Sequence, residues 1–368
     1  MKRRQKMNYE EFKERLMEEV KENLYERDIN VDITTTMVEK MNQTYEAMTV
    51  MPEGSKIGMN LNFQVYYDAY ESGLELDYIV DRVVNDIESH LPEMPTVDPD
   101  QLTNYEVMKD KIAMEVVSYE RNKELLLKVP HKRMEDMAVI YRFELNHEHE
   151  ARATILITYD LMGRMGITHE QLHEDAMKNA PQLRPAVIKG MSEVIMEMMG
   201  EEAIELYGEE PFNAEEMLYV ATVPDKTAGA GVLAYETFLD QAAERLGGDF
   251  FILPSSIHEV LLVPDDGVKS FHELKAMVEE VNATQVALEE KLTDSVYHYD
   301  CKEHIFELAE KFEARKHEKS METLKNKEKP KEKESILVDL NKKKEEIARN
   351  PAKNAMEKKD KVKGGEAL

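Results

Sequence analysis

The stretch at residues 249–266, DFFILPSSIHEVLLVPDD, constrains the fold most, because two dense apolar runs flank one short polar segment. The runs FFIL at 250–253 and VLLV at 260–263 are too short for stable helices, and Pro254, Ser255 and Ser256 between them supply turn chemistry. Continuous apolar runs of this length suit strands covered on both faces, so a β-hairpin central in a sheet is expected.

Helix and strand periodicities interleave around this hairpin without a strict βαβ rhythm. That pattern implies an α+β protein with a mixed sheet and several flanking helices. Phe12, Leu16, Val20 and Leu24 form one stripe of an amphipathic helix over 8–27. Leu76, Ile79, Val80, Val83, Val84 and Ile87 form another, stopped by Pro92. Residues 30–38 are β-branched, and MNLNFQVYY at 59–67 alternates as a half-buried strand would. Val107, Ile112, Val116 and Val117 predict a helix over 104–124, followed by strands at 138–145 and 153–159. Thr168 is placed to cap a helix that runs to Asn179 and is ended by Pro181 and Pro185. A Met-rich helix over 187–199 would use Ile188, Met191, Ile195 and Met198 as core filler. A strand at 217–223, a helix at 235–246, a helix at 271–281 bent near Asn282 and a last helix at 302–312 complete the body.

The chain has 368 residues, with 48 Lys+Arg against 75 Asp+Glu. From Ala314 onward the balance is 17 against 11, which leaves 31 against 64 before it, so a body near −33 precedes a tail near +6. Such a body repels phosphate backbones, which makes nucleic acid an unfavourable partner for it. The expected organisation is a flexible stretch at 1–8, a body at 9–312 with a possible sub-boundary at 92–100, and a Lys/Glu-rich tail at 313–368. The tail cannot bury enough apolar surface to order, except for a short helix at 335–348 carrying Ile336, Leu337, Leu340 and Ile347. The single Cys301 excludes an internal disulfide and fits a reducing compartment. The N-terminus MKRRQKMNYEEF turns acidic instead of apolar and no run reaches membrane-spanning length, so a cytoplasmic protein without a membrane segment is expected.

Three motifs bear on chemistry. His169-Glu170-Gln171-Leu172-His173 matches H-E-x-x-H, in which two imidazoles one turn apart grip zinc and Glu170 activates a bound water. It lies in the first turn after the Thr168 cap, among polar neighbours and without a third ligand fixed by spacing, so a capped surface helix is the simpler reading. Ser255, Ser256, His258 and Glu259 place a serine, an imidazole and a carboxylate together, without a G-x-S-x-G elbow. They are candidate ligand contacts at the end of a rigid hairpin, with backbone satisfaction by the serines as the alternative. Gly229 and Gly231 in TAGAGV lack both phosphate-loop signatures and are expected to form a flexible strand-to-helix connection.

Taken together, Tyr66, Tyr67 and Gly73, Glu170, Leu172 and His173 with Ala176 and Asn179, the run LPSSIHE at 253–259, and Val281-Asn282 followed by LTDSVYHYD at 292–300 carry a resemblance. Over residues 9–312 the chain resembles an uncharacterised family of large cytoplasmic proteins from gut Firmicutes, a domain of unknown function often met on mobile elements. The resemblance implies that the position of His169 commonly holds other polar residues, it adds Asn179 to the binding candidates, and it brings no activity with it. The expected function is that of an intracellular binding or accessory protein, not an enzyme and without a cofactor, which docks a protein partner through the 335–348 helix. The alternative is a zinc metallohydrolase using His169, Glu170 and His173.

Overall fold

The computed structural model describes residues 6–40, 42–55, 58–93, 99–146, 153–200, 216–327 and 340–345. Two compact units divide the chain, residues 1–309 and 310–368.

The first amphipathic stripe folds as α1 (Tyr9–Glu26), started by a reciprocal capping box between Asn8 and Glu11. The turn after it leads into β1 (Val31–Lys40) and β2 (Gln43–Pro52), followed by β3 (Met59–Asn62). The alternating run at 59–67 is not one strand. Asn62 accepts from the Gln64 amide at 2.9 Å and starts α2 (Phe63–Glu71), so a local cap overrides the period-two pattern. With α3 (Leu76–His90), these elements enclose a core of Phe12, Leu16, Val20, Met48, Phe63, Val83 and Ile87.

Beyond α4 (Pro99–Leu102) and α5 (Tyr105–Met108), the helix expected over 104–124 gives way to β4 (Ile112–Ser118), with the short α6 (Lys123–Leu126) after it. Every residue of β4 is buried. A β-branched run with cover on both faces is more stable extended than coiled, whatever its helical spacing. β5 (His131–Met134), β6 (Met137–Asn146) and β7 (Ala153–Leu156) complete a sheet in which β6 pairs with all three others. α7 (Tyr159–Met165) and α8 (His169–Leu183) follow. Pro181 lies inside the last turn of α8 instead of ending it, and buried Ala176 and Ala180 hold that turn against the core.

The Met-rich segment splits into β8 (Val187–Gly190) and α9 (Met191–Met199). No residue of α9 is buried and Met198 is 77% exposed, so these methionines are not the core filler the spacing suggested. The remaining elements are β9 (Tyr219–Thr222), α10 (Phe238–Leu246), β10 (Phe250–Leu253), β11 (Val260–Pro264), α11 (Phe271–Thr284), β12 (Tyr297–Asp300), β13 (Ile305–Leu308) and α12 (Ala309–Lys327). Asn282 sits within α11 without a break, and β13 occupies the start of the helix expected at 302–312. The strands form a sheet ordered β13-β12-β10-β11-β9-β8, with the expected hairpin at its centre. Phe250 and Ile252 face the main core, while Phe251 and Leu253 face a second one with Leu274 and Val278 of α11. The architecture is α+β, and every described strand pairing is antiparallel, where a mixed sheet had been expected.

Within the second unit α12 and a helical stretch at 340–345 are described, so most of the expected 335–348 helix lies outside the described residues, as do 1–5 and 94–98. Among the described residues no helix is long and apolar enough to cross a membrane.

One carboxylate ties the β4–β7 sheet to the β8–β13 sheet. Asp136, in the β5–β6 turn, accepts from the hydroxyls of Thr293 at 2.7 Å, Ser295 at 2.9 Å and Tyr297. Burial, reinforced by Asp136, pushes the Tyr297 phenol well above its usual range. Asp136→Ala is expected to lower stability by at least about 2 kcal/mol, because three donors lose their acceptor together. Tyr297→Phe should cost less, and urea denaturation of both variants measures the difference.

Candidate functional site

The six residues that join β10 to β11 do not project as a free turn. Ile257 donates its amide to the Glu290 carbonyl at 2.9 Å, and the Ser255 carbonyl accepts from the Leu292 amide at 3.0 Å. Ser256 forms an antiparallel bridge with Lys291. On the opposite side, the Ile257 carbonyl accepts from the Ala230 amide at 3.0 Å. The linker is therefore a short segment, bent at Ile257 and His258 and clamped between two others.

Both hydroxyl and imidazole serve this clamp. Ser256 Oγ accepts from the His258 amide at 3.1 Å. His258 Nδ1 accepts from the Ala228 amide at 3.2 Å, and the His258 carbonyl accepts from Thr222 Oγ1 at 2.7 Å. The neutral ring thus carries its proton on Nε2, which lies 3.4 Å from Glu290 Oε1 at the surface. No nucleophile–base pair exists between Ser256 and His258, since Nδ1 is occupied by backbone. Glu259 is exposed beside them.

Residues 224–229 are held equally firmly. Lys226 and Ala228 have φ of 55° and 50°, a left-handed conformation that side chains with a Cβ rarely adopt. Arg184, buried at the end of α8, donates to Glu144 Oε1 at 2.7 Å, Asp225 Oδ1 at 2.6 Å and the Thr227 carbonyl. A Cβ at Gly229 would stand 2.1 Å from Thr222 Oγ1 and 2.4 Å from the His258 carbonyl, and one at Gly231 2.4 Å from the Met114 carbonyl. The TAGAGV connection is a buried 3-10 turn, Gly229–Ala234, and not the flexible link expected of its glycines. A third edge comes from the β1–β2 turn. Asn42 donates Nδ2 to the carbonyls of Glu289 and Lys291 and exchanges bonds with the Asn122 amide group.

Together these loops make a rigid surface patch carrying Lys226, His258, Glu259 and Glu290. His258 and Glu259 were legible from the sequence. Arg184, Ala228 and Asn42 were not, because buried guanidinium bridges and left-handed turns leave no periodic trace; the two glycines were the visible signal.

The H-E-x-x-H residues lie elsewhere, at the start of α8. Thr168 Oγ1 accepts from the Gln171 amide at 3.2 Å, the cap expected there. Exposed Glu170 is held below the usual carboxyl range by its own backbone amide and the Thr168 hydroxyl. His173 Nε2 accepts from Lys132 Nζ at 3.0 Å, so Nδ1 carries the proton and donates to Tyr141 Oη at 2.9 Å. The Tyr141 ring also meets His169 edge-on at 6.1 Å, and His169 Nε2 is buried without a hydrogen-bond partner. Among the described residues no three His, Cys, Asp or Glu side chains are grouped to hold a metal ion. Asn179, on the same helix, donates Nδ2 to the Lys109 carbonyl at 2.8 Å and ties α8 to the 3-10 turn before β4.

Burial holds His173 below the ordinary imidazole range, helped by Lys132 and His169, and burial also lowers His298 against the opposing pull of Asp265. The unfolded chain therefore takes up protons at a higher pH than the folded one. Stability present above the ordinary value of about 6.5 is lost as pH falls through the folded values. Melting temperature is expected to drop on acidification through this range and His173→Gln to flatten the drop, as thermal scans across pH would read.

The sequence profile of DUF5688, described as a family of unknown function, matches residues 9–301. No curated protein and no solved structure matches the chain significantly.

Proposed function

The chain belongs to DUF5688, and from the geometry above we propose that it is a non-catalytic binding protein of the cell interior whose rigid patch at 224–229, 254–259 and 289–291 docks a partner protein. One observation supports this reading: Ser256 Oγ and His258 Nδ1 are taken up by backbone amides and not by each other, while charged groups are left facing outward. Ser256 Oγ and His258 Nδ1 are spent on amides, and Lys226, Glu259 and the His258–Glu290 pair remain accessible. Loops fixed on a scaffold are where binding residues concentrate. The charge of the chain, 48 basic against 75 acidic residues, selects a partner with a basic face and speeds its approach. A setting on a mobile genetic element is supported by the sequence resemblance alone.

Zinc hydrolysis at His169, Glu170 and His173 is the second reading, favoured by the buried, unpartnered Nε2 of His169. Metal analysis of the purified protein separates the two. The binding reading expects no stoichiometric zinc, and zinc that disappears in a His169→Ala, His173→Ala variant overturns it. For the patch itself, Glu259→Lys is expected to leave melting unchanged while abolishing co-purification of a partner from the host. Retention of that partner by the variant would count against the site.

A further inference from the structure

β1 is ten residues long and pairs, among the described strands, with β2 alone. No described strand pairs with its other edge. Residues 33–38, ITTTMV, contain no charge, no proline and no bulge, three of the devices by which proteins blunt an exposed strand edge. Thr34, Thr35 and Thr36 are exposed, and Met37 is 62% exposed. Thr35 Oγ1 donates to Met17 Sδ of α1 at 3.6 Å, so α1 walls the edge on one side. A cavity of about 380 Å³ at the start of β1 is lined by Lys21, Tyr25, Val31 and Asp32, with Tyr25 72% exposed.

The direction of the backbone groups follows from the hairpin. Lys40 and Gln43 close a two-residue turn and so exchange hydrogen bonds, and every second pair beyond them does the same. Residues 38, 36 and 34 therefore bond to β2, while the amides and carbonyls of 33, 35, 37 and 39 open outward. A strand that joins this edge must oppose them with its own outward set.

We propose that a second copy of the chain covers this edge, the two β1 strands running antiparallel about a two-fold axis through Thr36, so that both three-stranded sheets become one of six strands. The alternation permits axes through a residue and forbids axes between residues. An axis through Thr35 sets Asp32 against Val38. An axis through Thr36 sets Asp32 against Lys40 at both ends, Thr34 against Val38, and Thr35 against Met37. Opposite charges directly across a strand pair favour that register, and the exposed Met37 gains cover in both copies. An isologous two-fold contact is also the commonest way for a chain to close an edge on itself.

Sedimentation of the full-length chain over a concentration series tests this. A reversible dimer is expected, with hydrogen exchange slowing at residues 33–39 as concentration rises. Thr35→Pro removes an amide that faces away from β2, so it should leave melting of the monomer nearly unchanged and abolish the dimer. Asp32→Lys should weaken association at least about tenfold, and adding Lys40→Asp should restore it. A wild-type monomer, as when another strand covers the edge, overturns the proposal. So does a dimer that survives Thr35→Pro, or one indifferent to the charge at residue 32.

Discussion

The two larger sheets meet through a stretch of backbone that has almost no side chain. Gly231 lies so close to the Met114 carbonyl of β4, and Gly229 to Thr222 and the His258 carbonyl, that a methyl group at either place would overlap its neighbour. The 3-10 turn between them is a thin spacer, and its thinness sets how near β4 and the β10–β11 linker can approach. Ala230 and Val232 fill the turn with small, fully buried groups. Packing at interior density tolerates no added carbon there without moving one sheet against the other.

Polar groups then fix what the spacer brings close. Asp136 gathers hydroxyls from the segment before β12, Arg184 gathers Glu144 and the 224–229 loop, and Asn42 joins the N-terminal hairpin to Glu289, Lys291 and Asn122. Each is a convergence of several donors or acceptors on one side chain. Buried carboxylates and guanidiniums persist in such settings because their partners satisfy them fully. The N-terminal core around Phe12 and Val83 shares no buried residue with the main one, and Asn42 hydrogen-bonds across from the β1–β2 turn to Asn122, Glu289 and Lys291.

How much of this could be read from the sequence varied with the kind of signal. α1 and α3 show one continuous apolar stripe, and the FFIL and VLLV runs admit little besides a buried hairpin, so these were legible. β4 was misread because Ile112, Val116 and Val117 satisfy a helical spacing, and burial on both faces is a tertiary fact that spacing does not carry. β3 and α2 share one alternating run that a single Asn62 side chain divides. At the candidate site, His258 and Glu259 stood out by type, whereas the role of Nδ1 depends on a left-handed Ala228 that no local pattern announces.

The left-handed residues at 226 and 228 have a consequence for association. Their conformation is already secured by Arg184 and His258 in the unbound chain, so the entropy of ordering this loop is lost during folding and not at the moment of contact. In the proposed binding role, a preorganised loop would leave little backbone entropy to lose on contact. The same rigidity would make the proposed surface selective, because a loop that cannot remodel rejects shapes that do not fit it.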